Sequence, residues 1–168
     1  MSNRLNPYRM KWFTLQEFTR SVTANIRGLD NTPPSDAVCG LEWLCQRFLD
    51  PLRDAIGSPI IISSGYRSRD LNTAVGGSET SYHMIGLAAD FHPLDPDKRE
   101  AIVSLVRQSA ELSPAWKKTP DGCPEPPLHF HQFIQYPTFF HVSVAPEGST
   151  DKFQILRYNG FGQGYKKD

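Results

Sequence analysis

An apolar stripe at helical spacing runs from Val38 to Ile56. Its apolar residues recur every three or four positions, as on the buried face of an amphipathic helix. Pro51 lies inside the stripe, so the helix either kinks there or a new turn begins. Directly after Gly57, the run 59–63 is short and β-branched, which is typical of a buried strand. The chain must therefore pack a helix against a sheet.

The remaining predicted elements place most helices early and most strands late. Thr14 and Glu17 form a capping-box pair at the start of a helix, and Gly160 begins a Gly- and Lys-rich tail. Helices are predicted over 15–22, 68–75 and 95–110. Strands are predicted over 87–91, 129–135, 139–145 and 153–158, with a proline-rich loop over 113–127. This order favours an α+β domain over a βαβ repeat.

Length and composition exclude several classes of protein. The 168 residues suit one domain, and the 39% of hydrophobic residues can bury a core that a disordered chain lacks. Eighteen basic and eighteen acidic residues give a net charge of zero, so we expect no nucleic-acid partner. No apolar run approaches the roughly 20 residues of a membrane span, so we expect no membrane insertion.

The N-terminus and the cysteines indicate where the chain is made. The first ten residues contain no apolar stretch of signal-peptide length, so we expect synthesis in the cytoplasm. Cys39, Cys45 and Cys123 are odd in number and lack CxxC spacing, which is typical of free thiols in a reducing compartment. We expect a monomer.

The stretch 81–90 carries the clearest chemical signal. His83 and Asp90 are separated by Gly86 and two alanines, small residues that let the backbone turn and a strand begin beside a bulky site. A histidine nitrogen and a carboxylate oxygen are suitable ligands for Zn²⁺, and a catalytic zinc takes three protein ligands and a water. The candidates for the third ligand are His129, His131 and His141, with His92 weaker because it lies so close to Asp90.

Further motifs occur in a fixed order along the chain. They are Ser64-Gly-Tyr-Arg-Ser68, Leu71-Asn72, Val75-Gly-Gly77, Ser81-x-His83-x2-Gly86-x-Ala88-x-Asp90 and Phe140-His-Val-Ser143. This set resembles the zinc D-alanyl-D-alanine carboxypeptidase family, which includes peptidoglycan carboxypeptidases, murein endopeptidases and phage endolysins. The resemblance runs from about Phe13 to Tyr158, and segments 13–18 and 31–34 are similar to a subgroup frequent in phages and prophages.

The resemblance implies a fold and a domain plan. The fold is a single α+β domain with a central antiparallel sheet flanked by helices, as in Hedgehog and D-Ala-D-Ala peptidases. Residues 1–12 would form an N-terminal extension, 13–158 the zinc peptidase domain and 159–168 a flexible C-terminal tail.

The resemblance also implies roles for single residues. His83, Asp90 and His141 match the zinc ligands. Arg67 matches an arginine that reaches the substrate or the developing oxyanion, and a guanidinium suits that charge. Ser81 matches a serine that helps to bind substrate or to orient the site.

The general base departs from the family pattern. Many members carry Glu or Asp three residues before the last histidine ligand, where this chain has Thr138, which cannot accept a proton near neutral pH. In the closer subgroup an Asp stands where this chain has His131. A histidine with an ordinary pKa of about 6.5 can take a proton from an activated water. We therefore predict His131 as the general base, and the alternative is a strand histidine that packs against aromatic rings.

The implied function is a zinc metallopeptidase that hydrolyses amide bonds in peptidoglycan stem peptides, as a D-Ala-D-Ala carboxypeptidase, a murein endopeptidase or an endolysin. The absence of a carboxylate at Thr138 motivates an alternative function. In this alternative the chain is a catalytically impaired, zinc-containing protein of the same fold that binds the cell wall or is associated with a virion. A third interpretation keeps the fold and assigns an unrelated zinc hydrolase substrate. Without a signal peptide, the protein would reach the wall through a holin, lysis or a virion. The bond cut, D-Ala-D-Ala or L-Ala-D-Glu, stays open.

Overall fold

Helices occupy most of the first two thirds of the chain. The computed structural model describes residues 9–160 and 164–167. The helices are α1 (Leu15–Thr19), α2 (Val22–Arg27), α3 (Ser35–Leu44), α4 (Asp50–Ile56), α5 (Arg69–Ala74) and α6 (Arg99–Lys118). Short 3₁₀ turns span Tyr82–Ile85, Pro96–Lys98 and Pro120–Gly122.

The helix predicted over 15–22 is two helices. The capping box forms as expected, because the Thr14 N–H donates to Glu17 Oε2 at 2.8 Å. Ser21 interrupts the helix, since its hydroxyl accepts from the Ala24 N–H at 3.2 Å and caps α2. A polar side chain that satisfies a free N–H in this way favours a new helix start over continuation.

The apolar stripe forms one continuous helical path despite Pro51. A π-helical turn, Cys45–Leu49, joins α3 to α4 just before the proline. Pro51 lacks the N–H that would bond to the Arg47 carbonyl four residues earlier. That carbonyl instead accepts from the His129 N–H at 3.0 Å. The proline therefore leaves an acceptor that ties the helix to the segment leading into the sheet.

Six strands form one sheet in the order β1-β2-β4-β3-β5-β6. They are β1 (Ile60–Ser64), β2 (Ala88–Pro93), β3 (Gln132–Gln135), β4 (Phe140–Ser143), β5 (Gln154–Tyr158) and β6 (Tyr165–Lys167). Together with the helices they confirm a single α+β domain. The expected antiparallel sheet includes one parallel pairing, because β5 runs parallel to β3. The connection 144–153 returns the chain to the start of β3, where the Phe153 N–H donates to the Phe130 carbonyl at 3.0 Å.

The two faces of the sheet have different roles. Fully buried Phe91, Phe133 and Phe140 point from one face into the core formed with α3, α4 and α6. Because side chains alternate along a strand, Asp90 and His141 lie on the opposite face. None of the helices in the described part of the chain has the length and apolar character needed to cross a membrane.

The predicted loop over 113–127 is wrong in its first residues, because α6 continues to Lys118 with Pro114 inside it. The proline cannot donate to the Ala110 carbonyl, and the Ser113 hydroxyl donates to it instead at 2.9 Å. A neighbouring side chain thus replaces the missing backbone donor, and the helix persists.

Both chain ends contain ordered contacts near the predicted boundaries. Of the expected tail over 159–168, Tyr165–Lys167 form β6 and pair with β5, while 161–163 and 168 lie outside the described residues. Of the expected extension over 1–12, residues 1–8 also lie outside them. The Lys11 N–H donates to the Asp50 carboxylate at 3.0 Å, which ties this end to α4.

Candidate metal centre

The turn that carries His83 is held directly against α3. It ends at Gly86, whose φ of 75° lies in the left-handed region. A Cβ at Gly86 would lie 2.1 Å from the Ala37 carbonyl oxygen, and one at Gly40 would lie 2.4 Å from the Ile85 carbonyl oxygen. The two glycines therefore let helix and turn meet backbone to backbone, which fixes the position of His83.

Strand register brings the other two side chains together. Asp90 on β2 and His141 on β4 are direct partners in an antiparallel pair. Partners of this kind project on the same face with neighbouring Cβ atoms. His141 Nδ1 lies 2.7 Å from Asp90 Oδ1.

His83, Asp90 and His141 form a compact cluster of possible metal ligands. One ligand atom from each lies within 4.8 Å of the others. His83 Nδ1 lies 2.7 Å from the Gly65 carbonyl oxygen, which can only accept, so Nδ1 carries the hydrogen. In the neutral ring, Nε2 then carries a lone pair and no hydrogen. This atom faces Asp90 Oδ1 at a distance of 3.4 Å. Two facing lone pairs repel each other unless a proton or a metal cation lies between them, so this geometry is compatible with a bound metal.

The protonation states of His83 and Asp90 also suit a metal. Burial lowers the pKa of His83, which keeps its ring neutral near pH 7. Burial raises the pKa of Asp90, but the hydrogen bond from His141 and the nearby His83 ring outweigh it and hold that pKa well below the usual range. A neutral imidazole and an ionised carboxylate are the forms that bind Zn²⁺.

Arg67 holds the second oxygen of the same carboxylate. Its Nη2 lies 2.9 Å from Asp90 Oδ2, and its Nε donates to Ser64 Oγ at 3.0 Å. Both members of the ion pair are largely buried, with 17% and 13% of their side chains exposed. Arg67 therefore orients Asp90, a contact that the sequence did not predict.

The cluster opens into a cavity of about 600 Å³. Arg67, Ser81 and His131 all line it beside the three possible ligands. Ser81 Oγ also accepts from the His83 N–H at 3.3 Å, so this serine caps the turn that carries His83. The structure thus brings every predicted site residue to one cavity.

His131 lies in the cavity wall but outside the ligand cluster. Its ring centroid is 5.7 Å from that of Tyr82, and its Nδ1 is buried with no hydrogen-bond partner. Burial, followed by the charge of Lys152, lowers the pKa of His131 and keeps the ring neutral. Both predicted roles, a base and an aromatic packing partner, are compatible with this position.

The other histidine candidates lie elsewhere. His129 Nε2 bonds to Glu125 at 2.9 Å, and its ring packs edge-on against Trp116. The strand predicted over 129–135 begins only at Gln132, so His129 lies outside β3, whereas His131 still lines the cavity. His92 does not line the cavity within the described part of the chain.

The turn between β3 and β4 contains Thr138, which stands where many family members have a carboxylate. Thr138 is exposed there and does not line the cavity, whereas Tyr136 and Phe139 on either side of it do. Tyr136 belongs to none of the sequence motifs described above. A register argument could have found it, because Ile134 pairs with His141 and Tyr136 lies two residues further along the same face.

The sequence of the chain was compared with models of known protein families. The model of the family described as Peptidase M15 matches residues 11–117, more than half of the chain. The chain belongs to the Peptidase M15 family. No curated protein matches it. The sequence resemblance to zinc D-Ala-D-Ala carboxypeptidases is therefore confirmed at the level of the family, and the phage subgroup stays a prediction.

Membership in the M15 family identifies the chain as a peptidase, but the matched range covers only part of the candidate site. The matched range contains Arg67, Ser81, His83 and Asp90. It ends before β3 and β4, so His141 lies outside the match and is placed beside Asp90 by strand register.

The Arg67–Asp90 contact predicts an effect on metal affinity. Lysine keeps the charge of Arg67 but cannot hold Asp90 and Ser64 with one planar fork. Loss of a group that orients a metal ligand typically weakens metal binding by roughly 10- to 100-fold. We expect Arg67→Lys to show this loss in a zinc titration against a competing chelator.

Arg69→Lys is the matched control, because Arg69 is exposed at the start of α5. It should leave zinc affinity unchanged. Equal zinc affinity in the Arg67→Lys protein would show that the contact of Arg67 with Asp90 does not support metal binding.

Proposed function

We propose that this M15 peptidase is zinc-dependent and hydrolyses amide bonds in peptidoglycan stem peptides. The observation that carries the proposal is the arrangement of His83, Asp90 and His141, whose ligand atoms lie within 4.8 Å of one another in the lining of a cavity. The family resemblance of the sequence supports the substrate class.

The residues divide into ligands and groups that orient them. His83, Asp90 and His141 would hold Zn²⁺, which when bound supplies Lewis-acid activation of a carbonyl and a water. The Gly65 carbonyl fixes the tautomer of His83, and Arg67 fixes the rotamer of Asp90. Such supporting contacts hold the side chains of metal ligands in the orientation that binds the metal.

His131 is proposed to move the proton. It would accept a proton from the attacking water and donate it to the leaving amine. Among the described residues that line the cavity, Asp90 is the only carboxylate, and it belongs to the ligand cluster. His131 is the one lining histidine outside that cluster, which supports its assignment as the base.

Ser81 is proposed to contact the substrate as well as the turn. Its hydroxyl oxygen accepts from the His83 N–H, so its own O–H remains free to donate to a substrate oxygen. Ser81 lines the same cavity as His83.

A digestion of purified muropeptides tests the proposal. We expect product with added zinc, loss of product to background after chelation, and recovery when zinc is returned, as followed by mass spectrometry. The masses of the products also identify the bond that is cut. Circular dichroism of the chelated protein serves as the control for its fold.

Cleavage that persists after complete removal of metal would contradict the proposal. Retained binding to cell walls without any cleavage, with zinc bound, would instead support the catalytically impaired alternative.

A further inference from the structure

A second row of polar side chains lies beside the ligand cluster on the same face of the sheet. Ser143 follows His141 by two positions on β4, so both side chains project to the same face. Gln132 on β3 is the direct strand partner of Ser143. Both residues line the cavity of the candidate metal centre, and neither belongs to the described ligand cluster. This row of Gln132 and Ser143 is therefore placed to contact a substrate.

The Ser143 hydroxyl is a buried polar group at the cavity wall. Only 4% of Ser143 is exposed, and its hydroxyl has no hydrogen-bond partner within the described part of the chain. Its backbone is fixed, because its carbonyl accepts from the His131 N–H at 2.7 Å. A buried hydroxyl without a partner costs free energy. A ligand atom that bonds to this hydroxyl would remove that cost.

The Gln132 side chain is held in place and keeps hydrogen-bonding groups of both kinds free. Its Nε2 donates to Gln154 Oε1 at 3.0 Å, and Gln154 is its strand partner on β5. This bond uses one of the two amide hydrogens, so Oε1 and the other N–H remain available. A peptide group offers the same combination of one N–H and one C=O. The Gln132 amide can therefore pair with a peptide group of an extended ligand.

The separation of the two rows matches the length of two substrate residues. An antiparallel strand rises about 3.4 Å per residue, so Ser143 lies about 7 Å along β4 from His141. Two residues of an extended peptide also span about 7 Å. The cavity of about 600 Å³ has room for such a segment. A substrate whose scissile carbonyl lies at the ligand cluster would therefore place a more distant peptide group beside Gln132 and Ser143.

We propose that Gln132 and Ser143 bind a peptide group of the substrate about two residues from the bond that is cut. The proposal rests on the proposed peptidase function and adds a requirement on the substrate, which must extend far enough from one side of that bond to reach the row. It applies to a terminal and to an internal bond alike, because a terminal bond still has a peptide on its other side. Both groups are neutral hydrogen-bonding partners, so their role is separate from that of the metal.

Two phosphinate peptides of different length test this subsite. In each probe a phosphinate replaces the scissile amide, so the probe can bind at the zinc without being hydrolysed. The muropeptide digestion described above identifies the bond to be replaced. The short probe contains only the two residues that flank this bond, and the long probe is the whole stem peptide. Calorimetric titration of the zinc-loaded full chain measures the affinity for each.

Single variants of the two residues separate the probes. Gln132→Met keeps the length of the side chain, and Ser143→Ala removes only the hydroxyl oxygen. We expect each variant to bind the long probe about three- to tenfold more weakly than the parent, as for the loss of one uncharged hydrogen bond. Each should bind the short probe within about twofold of the parent, because this probe does not reach the row.

Gln108→Met is the matched control. Gln108 is exposed on α6 and does not line the cavity. This variant should bind both probes within about twofold of the parent.

The outcomes separate the subsite from the proposed function. Unchanged affinity of either variant for the long probe, or an equal loss for both probes, would overturn the subsite while zinc-dependent cleavage still stands. Absence of zinc-dependent cleavage, or of zinc-dependent binding of both probes by the parent, would overturn the proposed function and the subsite with it. Circular dichroism checks the fold of each variant. If Ser143→Ala fails to fold, Gln132→Met decides the question, because its side chain is only half-buried.

Discussion

Replacing His83 with alanine is expected to abolish stoichiometric zinc binding and to lower hydrolysis of muropeptides by a factor on the order of 10³ or more. His83 is almost fully buried, and its Nε2 faces Asp90 Oδ1 at 3.4 Å. Removing the ring leaves two ligands, which is fewer than a catalytic zinc requires. Elemental analysis measures the metal, and mass spectrometry of the products measures the activity.

His92→Ala is the matched control for this experiment. His92 lies on β2 near Asp90, pairs with Ile61, and does not belong to the described ligand cluster. Zinc should raise the melting temperature of the parent and of His92→Ala, because a ligand that binds the folded state stabilises it, but not that of His83→Ala. Stoichiometric zinc in folded His83→Ala protein would show that the metal assignment is wrong.

Replacing His131 with alanine is expected to lower kcat/KM by roughly 10²–10⁴ while zinc content is unchanged. The physical reason is that general base catalysis is lost while the ligand cluster stays intact. Replacement with Asp should keep activity, since a carboxylate can also accept the proton. Steady-state kinetics on a muropeptide, with zinc measured on the same samples, checks both variants.

The pH dependence gives an independent test of His131. Burial, followed by the charge of Lys152, places its pKa below the ordinary value. The neutral form is the base, so activity should be present above that pKa and fall as the pH drops through it. The acidic limb of kcat/KM should therefore lie below about pH 6.5 and move lower still in His131→Asp. A fully active His131→Ala enzyme would remove His131 from the mechanism.

Local interactions explain why much of the helical half was predictable. The capping box of Thr14 and the apolar spacing after Val38 act between residues a few positions apart, so they are visible in the sequence. Prediction from local sequence patterns failed for the helix boundaries at Ser21 and Pro114. At Ser21 a side chain started a second helix, and at Pro114 the Ser113 hydroxyl replaced the missing backbone donor.

The motif of the candidate metal centre was recognisable because its residue types and spacing are specific. His83, Gly86 and Asp90 are close in the chain, and the small residues between them permit the turn that the structure contains. The sequence left several histidines as candidates for the third ligand until the family resemblance selected His141. Only the pairing of β2 with β4 brings His141 to Asp90, across 51 positions of sequence.

The sequence by itself determined the residue types that can bind a metal, the helical and strand patterns, and the family. Tertiary structure alone decided which distant groups meet them: Arg67 on the carboxylate of Asp90, Tyr165 beside Tyr136, and the exclusion of Thr138 from the cavity. The physical reason is that these contacts depend on strand register and on the packing of whole elements. Such contacts join positions with no local pattern between them, so periodicity and spacing carry no signal for them.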